Sequence, residues 1–283
     1  MRVAAVTGAT GRIGAPLLAA LRARGIAVRA LTRSPRPPHD GVEWIVGDLL
    51  DGGVLRRLVD GADVLFHAAG QLDGDAAAVR RSLVDGTAAT LAAAAGIRMV
   101  HVSSLVVLDT ASARPIMLDT AAALEPTPAR RGVYTQAKCA AEALVRAAAL
   151  TQDLVLVRPG LVLIAGTNSM PPSVALPVGP FWLPVGPLRA QLPVVHADRV
   201  ASGMIAAAEH ARSGAIVHLL DDDIVTRGEL LRQLRRDLPS RLRLPGGTLL
   251  LQGAVMAAAF SDLAYRVASA GRPHRWATTP SAG

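Results

Sequence analysis

The sequence predicts an α/β protein: a doubly wound parallel sheet of about seven strands with a small C-terminal substrate lobe. Three observations predict it. Short apolar runs alternate with longer Ala/Leu/Arg segments of helical period. The first run ends in a glycine-rich turn that passes straight into a helical pattern. A chain of 283 residues, 51% hydrophobic, buries one large core rather than two independent ones.

In chain order, strands are expected at 2–8, 26–32, 42–47, 63–70, 97–104, 153–160 and 215–221, with helices at 12–24, 52–60, 74–95, 133–150 and 197–210. Right-handed crossovers bring the loops that follow the strands to one carboxyl edge, where open α/β sheets bind ligands. The pattern fails between 163 and 195, which holds seven prolines, no acid and one charge, Arg189. A linker is polar; this stretch is apolar, so it reads as a cap over the sheet edge, joined by residues 222–283.

Composition excludes several functions. The formal charge of +8 comes from scattered arginines, with only short pairs such as Arg56-Arg57 and Arg235-Arg236, so a solvated basic surface is expected and nucleic acid is not. The single cysteine, Cys139, excludes an internal disulfide, and no histidine pair has metal-ligand spacing, so no metal is expected. His67 reads as a loop residue, His101 and His196 as residues that satisfy strand-end hydrogen bonds, Asp198 as a helix opener, and the acidic run 221–223 as a turn. The N-terminus lacks a signal-peptide pattern, and the most apolar stretch, 246–260, is too short and glycine-interrupted to span a bilayer. A cytoplasmic protein with no stable membrane insertion is expected.

After the first strand, "TGATGRIG" spaces Gly8, Gly11 and Gly14 as TGxxGxxG. Such a turn admits a pyrophosphate against bare backbone and aims a helix N-terminus at it; a purely structural glycine turn is the alternative. The second strand ends in Thr32 and Arg33 instead of an acid, which suits a 2′-phosphate better than free ribose hydroxyls. NADP(H) is therefore expected over NAD(H), with Arg33 as the main phosphate contact and Arg12 as the second. Surface charge is the competing reading of Arg33.

The chain has one lysine, Lys138, against 29 arginines, and one of its two tyrosines, Tyr134, lies four residues before it. On a helix that spacing places both on one face, where an ammonium favours phenolate and lowers the phenol's pKa. Ser104, at the end of the fifth strand, can hold a substrate oxygen by hydrogen bond.

With "GDL" at 47–49, "HAAG" at 67–70, "VSS" at 102–104, YxxxK at 134–138 and "RPG" at 158–160 in order, the chain resembles the extended short-chain dehydrogenase/reductase superfamily over residues 1 to about 235. The likeness is nearer to hydroxysteroid dehydrogenase and ketoreductase members than to sugar epimerases. It implies a catalytic set of Ser104, Tyr134 and Lys138. It implies that Asp48 bonds the adenine amino group and that Ala68 and Ala69 line the ribose. Further cofactor contacts implied are Thr10, Ile13, Leu49, Gly70, Ser103, Pro159, Gly160 and Val162, beside Tyr134 and Lys138 themselves. Dimerisation through the helices at 74–95 and 133–150 is expected on the same basis.

Two positions depart from the family pattern. Leu83 stands where an asparagine is common, and Leu192 where nucleotide-sugar enzymes carry an arginine, which argues against a nucleotide-sugar substrate. Residues 1–165 and 196–221 are expected to form the NADP(H)-binding body, and 166–195 with 222–283 the lobe. Met170, Val174, Leu176, Phe181, Trp182 and Leu183 either line an apolar substrate site or only pack the cap. The leading expectation is hydride transfer between nicotinamide and an apolar carbonyl or alcohol. An epimerase or dehydratase using the cofactor transiently is the alternative, with a catalytically silent nucleotide sensor behind it.

Overall fold

The computed structural model describes residues 1–71, 74–110, 117–164, 170–171, 173–178, 181–223, 225–236, 242–243 and 275–276. Its first half runs β1 (Val3–Thr7), α1 (Gly14–Ala23), β2 (Ala27–Thr32), β3 (Val42–Val46), α2 (Gly52–Val59), β4 (Val64–His67), α3 (Ala76–Arg80), α4 (Gly86–Ala93), β5 (Arg98–Val102) and β6 (Met117–Leu118). There follow α5 (Val133–Ala148), β7 (Leu154–Pro159), β8 (Leu161–Leu163), β9 (Ala175–Val178), β10 (Phe181–Pro184), β11 (Gln191–Leu192), β12 (Val194–His196), α6 (Ala197–His210), β13 (Ile216–Leu219), β14 (Val225–Thr226), α7 (Arg227–Arg236), β15 (Leu242–Arg243) and β16 (Arg275–Trp276).

Seven strands form one sheet in the order β13-β7-β5-β4-β1-β2-β3. Every pairing in it is parallel. Both faces are covered, so the central strands are apolar on both sides instead of alternating with polar residues. Val6, Phe66, Val100 and Val155 pack with Leu17 and Leu21 of α1 and Met204 and Ile205 of α6. Their neighbours Ala5, Leu65, Met99 and Leu154 pack on the other face with Leu55 and Leu58 of α2, Leu91 of α4 and Val145 of α5. The same period of two sets which strand-end side chains meet α5.

The helix expected over 74–95 is interrupted by a π-helical turn at Arg81–Asp85. The turn seats Gly86 against Leu49, where an added Cβ would lie 2.4 Å from Leu49 Cδ2. The Thr87 hydroxyl donates to the Leu83 carbonyl at 2.6 Å, satisfying a group inside the altered ladder. Leu83 is buried there with Val79, Val84 and Ala137.

Past β7 the chain leaves the sheet through a narrow neck. β8 pairs in parallel with β12. The Leu161 amide donates to the Pro193 carbonyl at 2.6 Å, and a Cβ on Gly160 would lie 2.0 Å from that oxygen. Between the two strands β9 and β10 form an antiparallel pair. Met170, Val174, Ala175, Trp182 and Val194 share one apolar cluster with Leu230 and Leu231 of α7. The stretch 246–260 lies outside the described residues, and among the described ones no helix is long and apolar enough to cross a membrane.

Candidate active site

Because the sheet is parallel, the segments following β1, β2, β3, β4, β5 and β7 all emerge at its carboxyl edge. At β1 the need is for missing atoms. Gly8 has φ +71, and a Cβ on it would meet the Ala68 and Ala69 backbone at 2.6 Å; on Gly14 it would lie 2.0 Å from the Gly8 carbonyl oxygen. The Gly11 amide donates to that same carbonyl at 2.9 Å, closing the turn. Helix α1 opens at Ile13 with no side-chain cap and no acid in its first turn, so its positive end is uncompensated by the protein. A dinucleotide pyrophosphate fits this cradle. Thr10, Arg12 and Arg33 are exposed around it.

The Thr32 hydroxyl donates to the Ser34 carbonyl at 2.8 Å, shaping the end of β2. Asp48 is exposed beyond β3, where one carboxylate oxygen accepts from the Leu50 amide at 2.8 Å. Leu49 packs on the core against Gly86. Ala68 and Ala69 are half-buried and Gly70 exposed after β4. Pro159 is buried at the end of β7, Gly160 sits in the neck, and Val162 packs onto the α1/α6 core.

His67 ends β4, fully buried, and so differs from the expected loop residue. Thr87 spends its proton on the Leu83 carbonyl and therefore accepts from His67 Nε2 at 3.1 Å; His67 Nδ1 then accepts from the Thr7 hydroxyl at 2.7 Å. The ring is neutral, since burial, with Lys138 nearby, lowers its pKa to about 3. The His101 ring lies tilted at 38° to it, 5.2 Å between centroids, and neither of its ring nitrogens has a hydrogen-bond partner. That corrects the expected strand-end hydrogen bond, and burial holds the His101 pKa well below its ordinary value. His196 does bond, through Nδ1 to Asp221 at 2.6 Å, and Asp198 falls in the first turn of α6. Among the described residues no histidine, cysteine or acid group could hold a metal.

The catalytic candidates converge between β5 and α5. The Ser104 hydroxyl faces the Tyr134 phenol closely enough to hold its pKa down, and accepts the Val106 amide at 3.3 Å. One turn along α5, the Lys138 ammonium, buried, donates to the Val102 carbonyl at 2.8 Å. Burial lowers the Lys138 pKa to about 8, against an upward pull from Glu142. The Tyr134 pKa moves opposite to the sequence expectation: burial pushes it up to about 12, and the Ser104 hydroxyl only partly offsets this. Desolvation of the phenolate is the larger cause, against which only Ser104 acts. Beside the ring, Leu83 supplies an apolar wall.

Sequence reasoning missed the charges behind this set. Glu142 on α5 is wholly buried and paired with Arg158 of β7, whose Nε donates at 3.2 Å. The Ser103 hydroxyl donates to the same carboxylate at 2.6 Å, which ties its side chain into the core. Glu125, also buried, takes Arg131 at 3.2 Å, while Arg131 donates to the Leu108 carbonyl at 3.1 Å, tying the approach to α5 to the loop after Ser104. An arginine inside the apolar run "DLVLVRPG" was the available signal.

Residues 4–219 match the NAD-dependent epimerase/dehydratase family. The chain belongs to that family. It is an NAD(P)-dependent enzyme family of the oxidoreductase and epimerase/dehydratase type, with the fold of the extended short-chain dehydrogenase/reductase superfamily. Over 231 residues the chain is 37% identical to a 4-hydroxy-2-methyl-3-oxo-4-farnesyl-3,4-dihydroquinoline-1-oxide ketoreductase from Stigmatella aurantiaca, covering 76% of this chain and 67% of that one. It is 31% identical over 267 residues to a ceramide reductase from Caulobacter vibrioides, covering 90% and 77%. A dTDP-glucose 4,6-dehydratase double mutant from Streptomyces venezuelae, solved with NAD, has a TM-score of 0.68 at 23% identity, covering 87% of this family member and 86% of that chain. At that identity the likeness speaks for the fold alone.

Proposed function

We infer that the protein is an NADP(H)-dependent oxidoreductase that moves a hydride between nicotinamide and an apolar carbonyl or alcohol through Ser104, Tyr134 and Lys138. One observation carries this reading: Ser104 and Tyr134 face each other at the sheet's carboxyl edge, with the chain's lone lysine buried one helical turn away and bonded to the Val102 carbonyl at 2.8 Å. When bound, the cofactor supplies or accepts the hydride. The glycine turn and the open end of α1 would hold its pyrophosphate, and Arg33 and Arg12 its 2′-phosphate. Ser104 orients the substrate oxygen. Tyr134, with its pKa near 12, keeps its proton at neutral pH and is poised to give it to a carbonyl oxygen, as reduction requires. Lys138 stabilises the phenolate left behind.

The apolar cluster of Met170, Val174, Trp182 and Leu230 supports a lobe, spanning 166–195 and 222–283, for a hydrocarbon-rich substrate. The relatives named for a farnesyl-bearing quinoline oxide and for ceramide agree with that class. The test is a panel of apolar ketones and alcohols with NADPH or NADP+, run beside Tyr134→Phe. Loss of about 10²- to 10⁴-fold in kcat is expected in the variant. Full turnover in Tyr134→Phe sinks the mechanism. Purification with tightly held cofactor and no net nicotinamide absorbance change would instead favour the epimerase or dehydratase reading.

A further inference from the structure

Tyr134, Lys138 and Glu142 stand at i, i+4 and i+8 on one face of α5. Each engages the end of β5. Tyr134 meets the Ser104 hydroxyl, Lys138 the Val102 carbonyl at 2.8 Å, and Glu142 the Ser103 hydroxyl at 2.6 Å. Three consecutive strand-end residues are thus stapled to three successive turns of one helix. The Glu142 rung is anchored from behind. Arg158 donates to its carboxylate through both Nε and Nη2 and lies 3.4 Å from His218 of β13. The Ser103 amide donates to the Val157 carbonyl at 2.8 Å, so β5, β7 and α5 are locked at one point.

We propose that Glu142, clamped by Arg158 and Ser103, is a positioning residue that keeps Lys138 charged and fixes the strand end bearing Ser104. The proposal rests on the reading of Lys138 and Ser104 as the reacting set.

The other titratable groups around Lys138 do not supply its charge balance. His101 of β5 and His67 of β4 are held neutral by burial, and Tyr134 stays protonated. His218, from β13, reaches the site only through Arg158. Cys139, next along α5, is held neutral by burial, which raises its pKa to about 11, and Glu125 and Arg131 pair with each other at 3.2 Å. The charge that acts on the ammonium is therefore the Glu142 carboxylate, which raises the Lys138 pKa and is itself paired with Arg158, in a buried setting where charge interactions are strong. A salt bridge serving packing alone would behave differently under substitution. Removing either partner would destabilise the fold in both cases, but only a charge-setting pair shifts Lys138 in opposite directions.

The chain's single lysine makes the test direct. Protein labelled with 13C at the lysine Cε gives one chain-derived lysine signal, whose pH titration reads Lys138 without substrate or cofactor. Glu142→Gln leaves Arg158 uncompensated and is expected to move the midpoint down by about one pH unit or more. Arg158→Met is expected to move it up. Glu142→Gln combined with Arg158→Met, which removes both charges, is expected to return it close to the parent. Ser103→Ala keeps both charges, so it should leave the midpoint in place while kcat falls about tenfold with KM little changed. Single variants that shift the midpoint in the same direction, or not at all, overturn the proposal, as does parent-like kcat in Ser103→Ala. Should either single variant fail to fold, the Ser103→Ala comparison still decides. If Tyr134→Phe keeps full turnover while the midpoints move as stated, the charge coupling stands and the catalytic reading alone fails.

Discussion

At the carboxyl ends of β1 and β2 the candidate site consists of bare backbone and exposed side chains; at the ends of β5 and β7 it consists of buried ones. Gly8 and Gly14 work by lacking a Cβ, and Arg33 and Arg12 stand in solvent. Lys138, Glu142 and Arg158 are all less than one tenth exposed and satisfied chiefly by one another and by backbone. The first arrangement suits a ligand that brings its own charge. The second stores charge before any ligand arrives and holds it through burial. Substitutions should therefore act mainly on affinity at one end and on the rate step at the other.

Lys138→Arg should be the most damaging change. The planar guanidinium cannot replace a compact ammonium bonded to Val102 at 2.8 Å, and a loss of about 10³-fold in kcat is expected by steady-state assay. A near-parental rate would break the contrast between the two ends. Gly14→Ala should rank next. Its Cβ would fall 2.0 Å from the Gly8 oxygen, so the turn must open; cofactor Kd, measured by fluorescence titration, should rise about 100-fold, with stability lower by about 2 kcal/mol.

Acidity offers a finer test. Lys138 is cationic below about 8 and neutral above, so reductive turnover should fall as pH rises through that value, by up to about tenfold per unit. Phenol loss from Tyr134 belongs to a separate limb near 12, out of the working range. A pH profile flat from 7 to 9 would contradict the buried-charge picture. The smallest effect belongs to the exposed end: Arg33→Ala should raise the Kd for NADPH about tenfold and leave that for NADH unchanged. Equal effects on both would remove the 2′-phosphate role.

These two ends also differed in how far the sequence revealed them. The glycine turn is a local requirement, written within eight residues, and the seven strands show as apolar runs because both sheet faces are covered. The pairing of Glu142 with Arg158 joins a helix to a strand 16 residues on, and only the period of two along β7 turns Arg158 toward α5. The rise in the Tyr134 pKa depends on burial, which YxxxK spacing does not encode. The break at Arg81–Asp85 follows from tertiary packing of Gly86 on Leu49, where periodicity alone predicts an unbroken helix. In the Pro-rich span the short strands escaped because they lack any repeat to read.

The neck at Gly160 and Pro193 gives this last span a particular freedom. Its two ends are fixed side by side, as β8 and β12, by contact between backbones instead of by side chains within the span. Closing a longer or shorter loop on such a fixed base changes the entropy of closure only slightly. Length changes within the span thus leave the register of β7 and α6 in place, so the span is mechanically separate from the strand ends that carry Ser103, Ser104 and Arg158.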